Sequence, residues 1–430
     1  MKYIIYTFLF FFIGFANLKA QSPTQSFNAN GIKVIFKPTL KNVINIRIYF
    51  RGGVTNYQAN QAGIERLTLD ATTKCGTSKY NALAFRDSSD KYGILTYGTS
   101  TFDYGYIQLN CISKYLEQGW NLFSDAVLNP VFEPGQLNLL KENLISQNKN
   151  TESNSDTKRD NLLIKNAFKN TPYAISPDGT EETIRNLTAE DLKKYYKTLL
   201  NKNRIFIVVV GNISKQDLYE KIVLSFGNIS SQVFTAGELT APVLNDNKLL
   251  TENRDLKINY IGAIMNAPEL TNINYVPFRM GISGLSGNIY YQFHIATGIA
   301  YNAGAYTRAF KIPFSILYAD GKDVQQLMQG IMFQLKHIQK DGLNDEWLQH
   351  IKNTYITTSY INDQSAAALT NSLGEAEILG NWEYAEDLTE LVKMVTVEQV
   401  NNALNFYITG LRWAFLGNPE DLDGVRVPVY

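Results

Sequence analysis

Histidine is nearly absent from this chain of 430 residues. The three present, His294, His337 and His350, all lie in the second half. The first 293 residues therefore hold no imidazole to ligate a transition metal or to pass a proton near neutrality. Cysteine is as scarce, with Cys75 and Cys111 alone. Two thiols exclude a Cys-rich zinc site and a small scaffold built on several disulfides. A single disulfide and two separate thiols both stay open; Cys111 sits in an apolar, strand-like run that suits a buried free thiol. Charge of one sign is also lacking, with 40 basic and 40 acidic residues. That balance argues against a nucleic-acid partner or an anionic membrane surface. Beyond the N-terminus no apolar run approaches the roughly 18 residues that would mark a membrane span. No Gly-x-Ser-x-Gly sequence and no Cys–His pairing supports an independent hydrolase of another chemistry.

What is present begins with a secretory pattern. Lys2 precedes an apolar, Phe-rich run over residues 4–13, and residues 16–20 offer small side chains before Gln21. A cleaved signal peptide over residues 1–20 is expected, the run being too short to span a membrane comfortably. No Cys follows it, so a lipid anchor is not expected. The mature chain is expected in the periplasm or cell envelope.

The chain is written twice. Leu187-Thr188-Ala189-Glu190-Asp191-Leu192 opens a helical stretch, followed by the strand at residues 205–210 and then Gly211-Asn212. The order returns as Val395-Thr396-Val397-Glu398-Gln399-Val400, a helical stretch, the strand at 413–416 and Gly417-Asn418. Thr188 and Thr396, 208 residues apart, are natural helix N-caps, because a side-chain oxygen accepts from a free N–H of the first turn. Residues 228–252, rich in Ser, Asn, Thr and Ala, read as a connector. The expected organisation is a first domain over 25–227 and a second over 253–430. Strands are predicted at 32–36, 43–50, 94–99 and 104–111, and in the second half at 258–265, 299–306 and 314–319. Helices are predicted at 62–73, 82–92, 114–128, 134–150, 158–168 and 189–200, then 275–284, 324–339, 345–361, 366–379 and 397–406. Strand runs separated by helix runs predict the α+β class: two homologous domains, each a mainly antiparallel sheet covered by helices.

The strand ending Tyr49-Phe50-Arg51-Gly52-Gly53 leads to Gly63-Ile64-Glu65-Arg66-Leu67-Thr68-Leu69-Asp70-Ala71-Thr72-Thr73-Lys74-Cys75-Gly76-Thr77. Further along stand Thr171-Pro172-Tyr173, Gly179-Thr180-Glu181-Glu182, Val210-Gly211-Asn212 and Gly298-Ile299-Ala300-Tyr301. In this order the pieces resemble the pitrilysin/insulinase family of zinc peptidases, of which the mitochondrial processing peptidase is one arrangement. The resemblance implies a zinc helix with an inverted His-x-x-Glu-His motif and a further glutamate ligand on a later helix. Counted from Gly63, the first zinc histidine falls on Arg66, the catalytic glutamate on Leu69 and the second histidine on Asp70. Counting back from Pro172 and from Phe168 places the last ligand at Gln147. Arg stays protonated and ligates nothing, and Leu69 accepts no proton from water. No metal and no other cofactor is expected. Arg66 and Asp70, four apart on one helical face, are placed to pair and fill the space of the metal, and solvated side chains on an exposed face are the simpler alternative.

The resemblance also implies an Arg and a Tyr, seven residues apart in the second half, that hold the substrate backbone. Tyr301 fills the second position and His294 the first, a donor without the guanidinium fork. Thr99, Ser100 and Thr101 lie where the family has an edge strand, to which an extended peptide can add. His337 and His350 are read as solvated helical residues. The functional expectation is a non-catalytic subunit, binding peptide and closing a chamber against a zinc-bearing partner chain or within a homodimer. The other expectation is a stand-alone envelope peptide-binding or scaffold protein.

Overall fold

The computed structural model describes residues 23–430; the expected signal peptide lies outside the described residues. The first half contains strands β1 (Gln25–Ala29), β2 (Ile32–Pro38) and β3 (Val43–Arg51), helices α1 (Ile64–Lys74) and α2 (Ala82–Tyr92), and the hairpin β4 (Leu95–Ser100) and β5 (Tyr104–Ile112). Helices α3 (Leu116–Leu128), α4 (Pro134–Ser153), α5 (Ser155–Ala167), α6 (Glu181–Asn186) and α7 (Ala189–Leu199) follow, then β6 (Ile205–Gly211) and α8 (Lys215–Phe226). The second half contains β7 (Leu249–Asn253), β8 (Asn259–Asn266), α9 (Tyr275–Tyr290), β9 (Ala303–Arg308) and β10 (Phe314–Gly321). It closes with α10 (Val324–Asp341), α11 (Asp345–Asn362), α12 (Ala366–Ile378), α13 (Glu383–Met394), α14 (Val397–Tyr407) and β11 (Arg412–Gly417).

The internal repeat is a repeat of topology. The first sheet runs β1-β2-β6-β3-β5-β4 and the second β7-β11-β8-β10-β9. Setting β1 aside, the two orders match strand for strand. Each sheet is antiparallel except for one parallel pair, β2 with β6 and β7 with β11. Thr188 and Thr396 each close a capping box, exchanging bonds with Asp191 and Gln399, so the paired motif marks the same helix start in both domains. The α+β, two-domain reading holds.

The sheets are apolar on both faces, and a sheet so loaded needs cover on each side. In the first sheet Ile44, Ile46, Ile48 and Phe50 of β3 join the main core, while Tyr49 lies in a second buried cluster with Phe206, Val208, Leu373 and Ile378. Leu373 and Ile378 belong to α12, a helix of the second half. Tyr49 Oη donates to Thr370 O at 3.0 Å, Arg47 Nη1 to Asn371 Oδ1 at 2.7 Å, and Arg51 Nη2 meets Glu377 Oε1 at 2.7 Å. Reciprocally, α5 from the first half lies on the second sheet. Leu163 packs beside Gly262 of β8, Asn166 Nδ2 donates to Trp413 O at 2.9 Å, and Arg412 Nη1 bonds the α5 carbonyls of Asn166 and Ala167 at 2.8 and 3.1 Å. Each half therefore lends the helix that completes its neighbour.

Several local readings need correction. β1, α6 and α13 were not anticipated. Residues 249–252, read as connector, belong to β7; this strand is half-exposed and polar at its end, so it carries little alternating pattern. The strand predicted from residue 299 starts at Ala303, and the helix predicted at 275–284 continues to Tyr290 and then through a π-helical turn, Tyr291–Ala296. Both cysteines are buried and free.

Because α5 and α12 are shared, the two domains are expected to unfold together. Leu163→Ala and Leu373→Ala, both at fully covered sites, should each cost about 2–5 kcal/mol in denaturant titrations followed by tryptophan fluorescence and by circular dichroism. Each variant should keep a single transition common to both probes; two separated transitions would contradict the exchange.

Candidate functional site

After β3 the chain makes two short 3-10 turns and reaches Gly63, whose φ of +87° suits the residue without a Cβ. The helix α1 that follows is buried on most of its circumference and rests on β4. Gly98 permits that approach: a Cβ there would stand 2.0 Å from the Leu69 carbonyl oxygen. Leu69 itself is fully buried and points an alkyl group where the resemblance requires a base.

Arg66 donates from Nη1 to Gly98 O at 2.8 Å. Its guanidinium also stands 3.7 Å from Asp70 Oδ2 and 3.7 Å from Asp178 Oδ1. Asp70 is gripped more closely by Lys74, at 2.9 Å. Burial raises the Asp178 carboxyl above its ordinary value, and Arg66 opposes that shift. Gln147 lies exposed on α4 and is not drawn into this group. The donor set does not fit zinc: a guanidinium occupies the position of one ligand, an alkyl chain that of the base, and the single carboxylate is already engaged by two cations. Among the described residues no group of three His, Cys, Asp or Glu side chains comes together in a way that could hold a metal.

A neighbouring polar cluster escaped the sequence reading. Glu65 is fully buried. It accepts from Tyr195 Oη and, at 3.0 Å, from Asn56 Nδ2, and Arg204 Nη2 stands 3.9 Å away. Burial raises its carboxyl above the ordinary value; Arg204, Tyr195 and Asn56 oppose the shift. The available signal was a charged residue on the helix face that also carries Leu69 and Thr72, but its partners come from residues 56, 195 and 204, which only the tertiary fold brings near.

In the second half His294 and Tyr301 are brought together, ring centroids 5.8 Å apart and edge to face. His294 Nδ1 lies 3.2 Å from Ala300 O, and its ring stacks on Tyr290. Tyr301 is 81% exposed. Asp320 Oδ1 accepts from the Tyr301 and Asn302 amides at 3.1 and 2.7 Å, tying down this turn, and burial raises the Asp320 carboxyl. These groups line a pocket of about 420 Å³ that also includes Asp156. His337 pairs with Asp341 at 2.5 Å, and His350 stacks on Trp347.

β4 is an edge strand of the first sheet, at the end opposite β1. Register decides which of its groups face outward. Thr101 N donates to Tyr104 O at 2.7 Å, so Thr101 and, two residues back, Thr99 turn their backbone groups to β5. The outward groups are those of Thr96, Gly98 and Ser100, with the Gly98 carbonyl already taken by Arg66. Of the residues named from sequence for peptide addition, Ser100 has the outward backbone and Thr99 and Thr101 do not, because a strand alternates with period two.

Two outcomes are expected. Protein purified from zinc-containing medium should carry far less than one equivalent by elemental analysis, and a chelator should leave its melting temperature unchanged. For Glu65, a raised folded-state value means that the native state holds a proton the unfolded chain has released. Stability contributed by the protonated form is then present below about 4.5 and lost as pH rises through the raised value. Glu65→Gln should flatten that fall in denaturant titrations between about pH 4 and 8.

Two family profiles cover successive parts of the chain: Insulinase (Peptidase family M16) over residues 34–181 and Peptidase M16 inactive domain over 186–355. Two relatives are similar over most of their length. The Uncharacterized zinc protease YmxG of Bacillus subtilis is 21% identical, with 86% of this chain and 92% of that protein covered. The Non-peptidase homolog YmxG of Helicobacter pylori is 20% identical, with 97% and 99% covered. The crystal structure of the periplasmic protease PqqL from Escherichia coli shares the fold at a TM-score of 0.77 and 16% identity, matching 93% of this chain but 46% of PqqL. Among the described residues no helix is long and apolar enough to cross a membrane. This chain belongs to the insulinase family of peptidases, M16, as a member whose zinc-site positions are degenerate.

Proposed function

We propose that this chain is the non-catalytic subunit of an exported, two-chain insulinase-family peptidase. The observation that carries the reading is the zinc helix, folded and seated on β4 while Arg66, Leu69 and Asp70 stand where its chemistry would be. The unit matches 46% of the PqqL chain, which supports reading it as one half of a chamber. The partner would be a zinc-bearing chain of similar size with an intact His-x-x-Glu-His helix. This chain would close the chamber and hold extended peptide at the outward groups of Thr96, Gly98 and Ser100, with His294 and Tyr301 clamping its backbone. Export follows from the signal pattern of residues 1–20. The name printed for the Helicobacter pylori relative, a non-peptidase homolog, supports the non-catalytic part.

The second reading is a stand-alone envelope protein that binds peptides and cuts none. The free β4 edge favours it, since strand addition needs neither metal nor partner. A homodimer of this chain is the corresponding assembly.

Co-expression with a zinc-bearing homologue separates them. The expected result is a complex of about one to one, with cleavage of an unstructured peptide that needs both chains. Unchanged cleavage by the partner alone would refute the subunit reading. Within the complex His294→Ala should raise KM about 2- to 10-fold with little change in kcat, the loss of one hydrogen bond worth roughly 0.5–1.5 kcal/mol.

A further inference from the structure

The pocket beside His294 and Tyr301 has walls of one electrical sign. It encloses about 420 Å³ at one end of the second sheet. Strand register builds its floor. Asp320 of β10 stands directly opposite Tyr260 of β8. Tyr318, two residues from Asp320 and so on the same face, lies under the Arg159 guanidinium of α5 at 4.7 Å. That face is therefore the one α5 covers, and the first turn of α5 brings Asp156 to the same pocket. The opposite wall comes from the end of α9 and the turn after it, where Tyr290 stacks on His294 and Tyr301 meets it edge to face. The first half of the chain thus completes a pocket of the second by lending α5.

No lysine or arginine lines this pocket. Lys158 is held by Glu152 and Glu252, and Arg159 is shared between Asp156 Oδ1 at 2.7 Å and Asp160 Oδ1 at 2.8 Å. Lys257 and Lys322 are exposed and lie outside the lining. The two carboxylates that face the pocket keep acceptor capacity. Arg159 engages one oxygen of Asp156, and among the described residues no donor reaches the other. Asp320 is only 4% exposed. Its Oδ1 takes the Tyr301 and Asn302 amides, and among the described residues no donor reaches its Oδ2. A buried carboxylate oxygen without a donor is costly. Burial raises the Asp320 carboxyl, the Asn302 and Tyr301 amides oppose the shift, and the charge of Asp156 adds to it. His294 contributes in the same sense. Its Nδ1 lies 3.2 Å from the Ala300 carbonyl, which only accepts, so Nδ1 carries the proton and Nε2 of the neutral ring is an acceptor. The arginine that the resemblance implies at position 294 would have given the pocket a cation; the histidine gives it one more acceptor.

We propose that this pocket takes a basic side chain, arginine or lysine, of the peptide this chain holds, with the cationic head facing Asp156 and Asp320 and the stem along the rings of Tyr290 and Tyr301. Carboxylate oxygens, an imidazole lone pair and tyrosine faces are complementary to a cation rich in N–H donors. A metal ion is less well served, since no three His, Cys, Asp or Glu side chains among the described residues come together to hold one. The inference rests on the reading of this chain as a holder of peptides and adds which residue of the peptide it selects.

The test uses the isolated mature chain and three fluorescently labelled seven-residue peptides, acetylated and amidated at their ends and identical except for a central Arg, Lys or Gln. In anisotropy titrations the Arg and Lys peptides should bind at least 10-fold more tightly than the Gln peptide. Asp156→Asn with Asp320→Asn keeps the oxygens that serve Arg159 and the two amides; it should erase that preference and leave the affinity for the Gln peptide unchanged. Asp156→Asn alone, at a half-exposed site, should reduce the preference about 3-fold without moving the melting curve, which keeps the test available if the double variant fails to fold. His294→Arg, placing a cation in the pocket, should also abolish the preference. Equal affinity for the three peptides, or a preference unchanged in Asp156→Asn and His294→Arg, would overturn the assignment. So would a Gln peptide with a free N-terminus that binds as tightly as the acetylated Arg peptide, since the seat would then be one for a chain end. Binding of none of the peptides would overturn it as well, while the one-to-one complex and its cleavage, read by co-expression, would still decide the subunit reading separately.

Discussion

The exchange of α5 and α12 governs this molecule. Each sheet has two apolar faces, and its own half supplies helices for one. The other face would be left in water without the visiting helix. Burying it fixes how the domains sit, because α12 is anchored across β3 and β6 by Arg47, Tyr49 and Arg51 together, and α5 is capped at its C-terminal carbonyls by Arg412. The hairpin tips follow from this arrangement. Phe310 packs between Phe102 and Tyr173, and Asp103, almost fully buried, accepts from Tyr173 Oη and from the Lys311 amide at 2.9 Å. A buried carboxylate left without donors would be costly. Here both oxygens are satisfied, one by Tyr173 of the same domain and one by the Lys311 amide from across the domain boundary, and so that boundary resists sliding.

The same constraint explains why the helix keeps its place without the zinc-ligand residues. Ile64, Leu67, Leu69 and Ala71 are buried in the main core, and the backbone of α1 lies against Gly98 of β4. Its position is set by packing, and the ligand positions are decorations on a helix that is held anyway. The replacements are mutually compensating. Arg66 lies between Asp70 and Asp178, and Lys74 balances Asp70. A single replacement from such a group would leave a half-buried charge without its counter-ion. That interdependence is a physical reason for the ligand set to be absent as a whole.

Much of this architecture was legible in the chain. The paired threonine caps announced the repeat, since a capping box is a local device whose residues lie three apart in sequence. Alternating and 3.6-residue patterns located most strands and helices. What depends on distant residues was not legible. Glu65 meets Tyr195 and Arg204 only after α7 and β6 have packed beside α1. β7 is a strand because β11 is there to pair with it. The outward face of β4 depends on where the Phe102-Asp103 turn sets the register, a one-residue matter that composition does not encode. His294 lies in a π-helical turn, where counting seven residues back from Tyr301 does not by itself say how the side chains meet.

On the proposed reading this chain, with an alkyl group at Leu69 where a base would stand, acts on peptide chemistry through binding. Binding that is equal in ground and transition states lowers KM without raising kcat. Catalytic benefit must therefore come from orientation relative to a reacting centre carried elsewhere, for which the rigid pairing of the two domains is a suitable base. On the proposed reading the β4 edge is the place to grip a chain, backbone pairing with backbone. Such backbone pairing is tolerant of sequence. On that reading the chain sets the register of a bound peptide through packing.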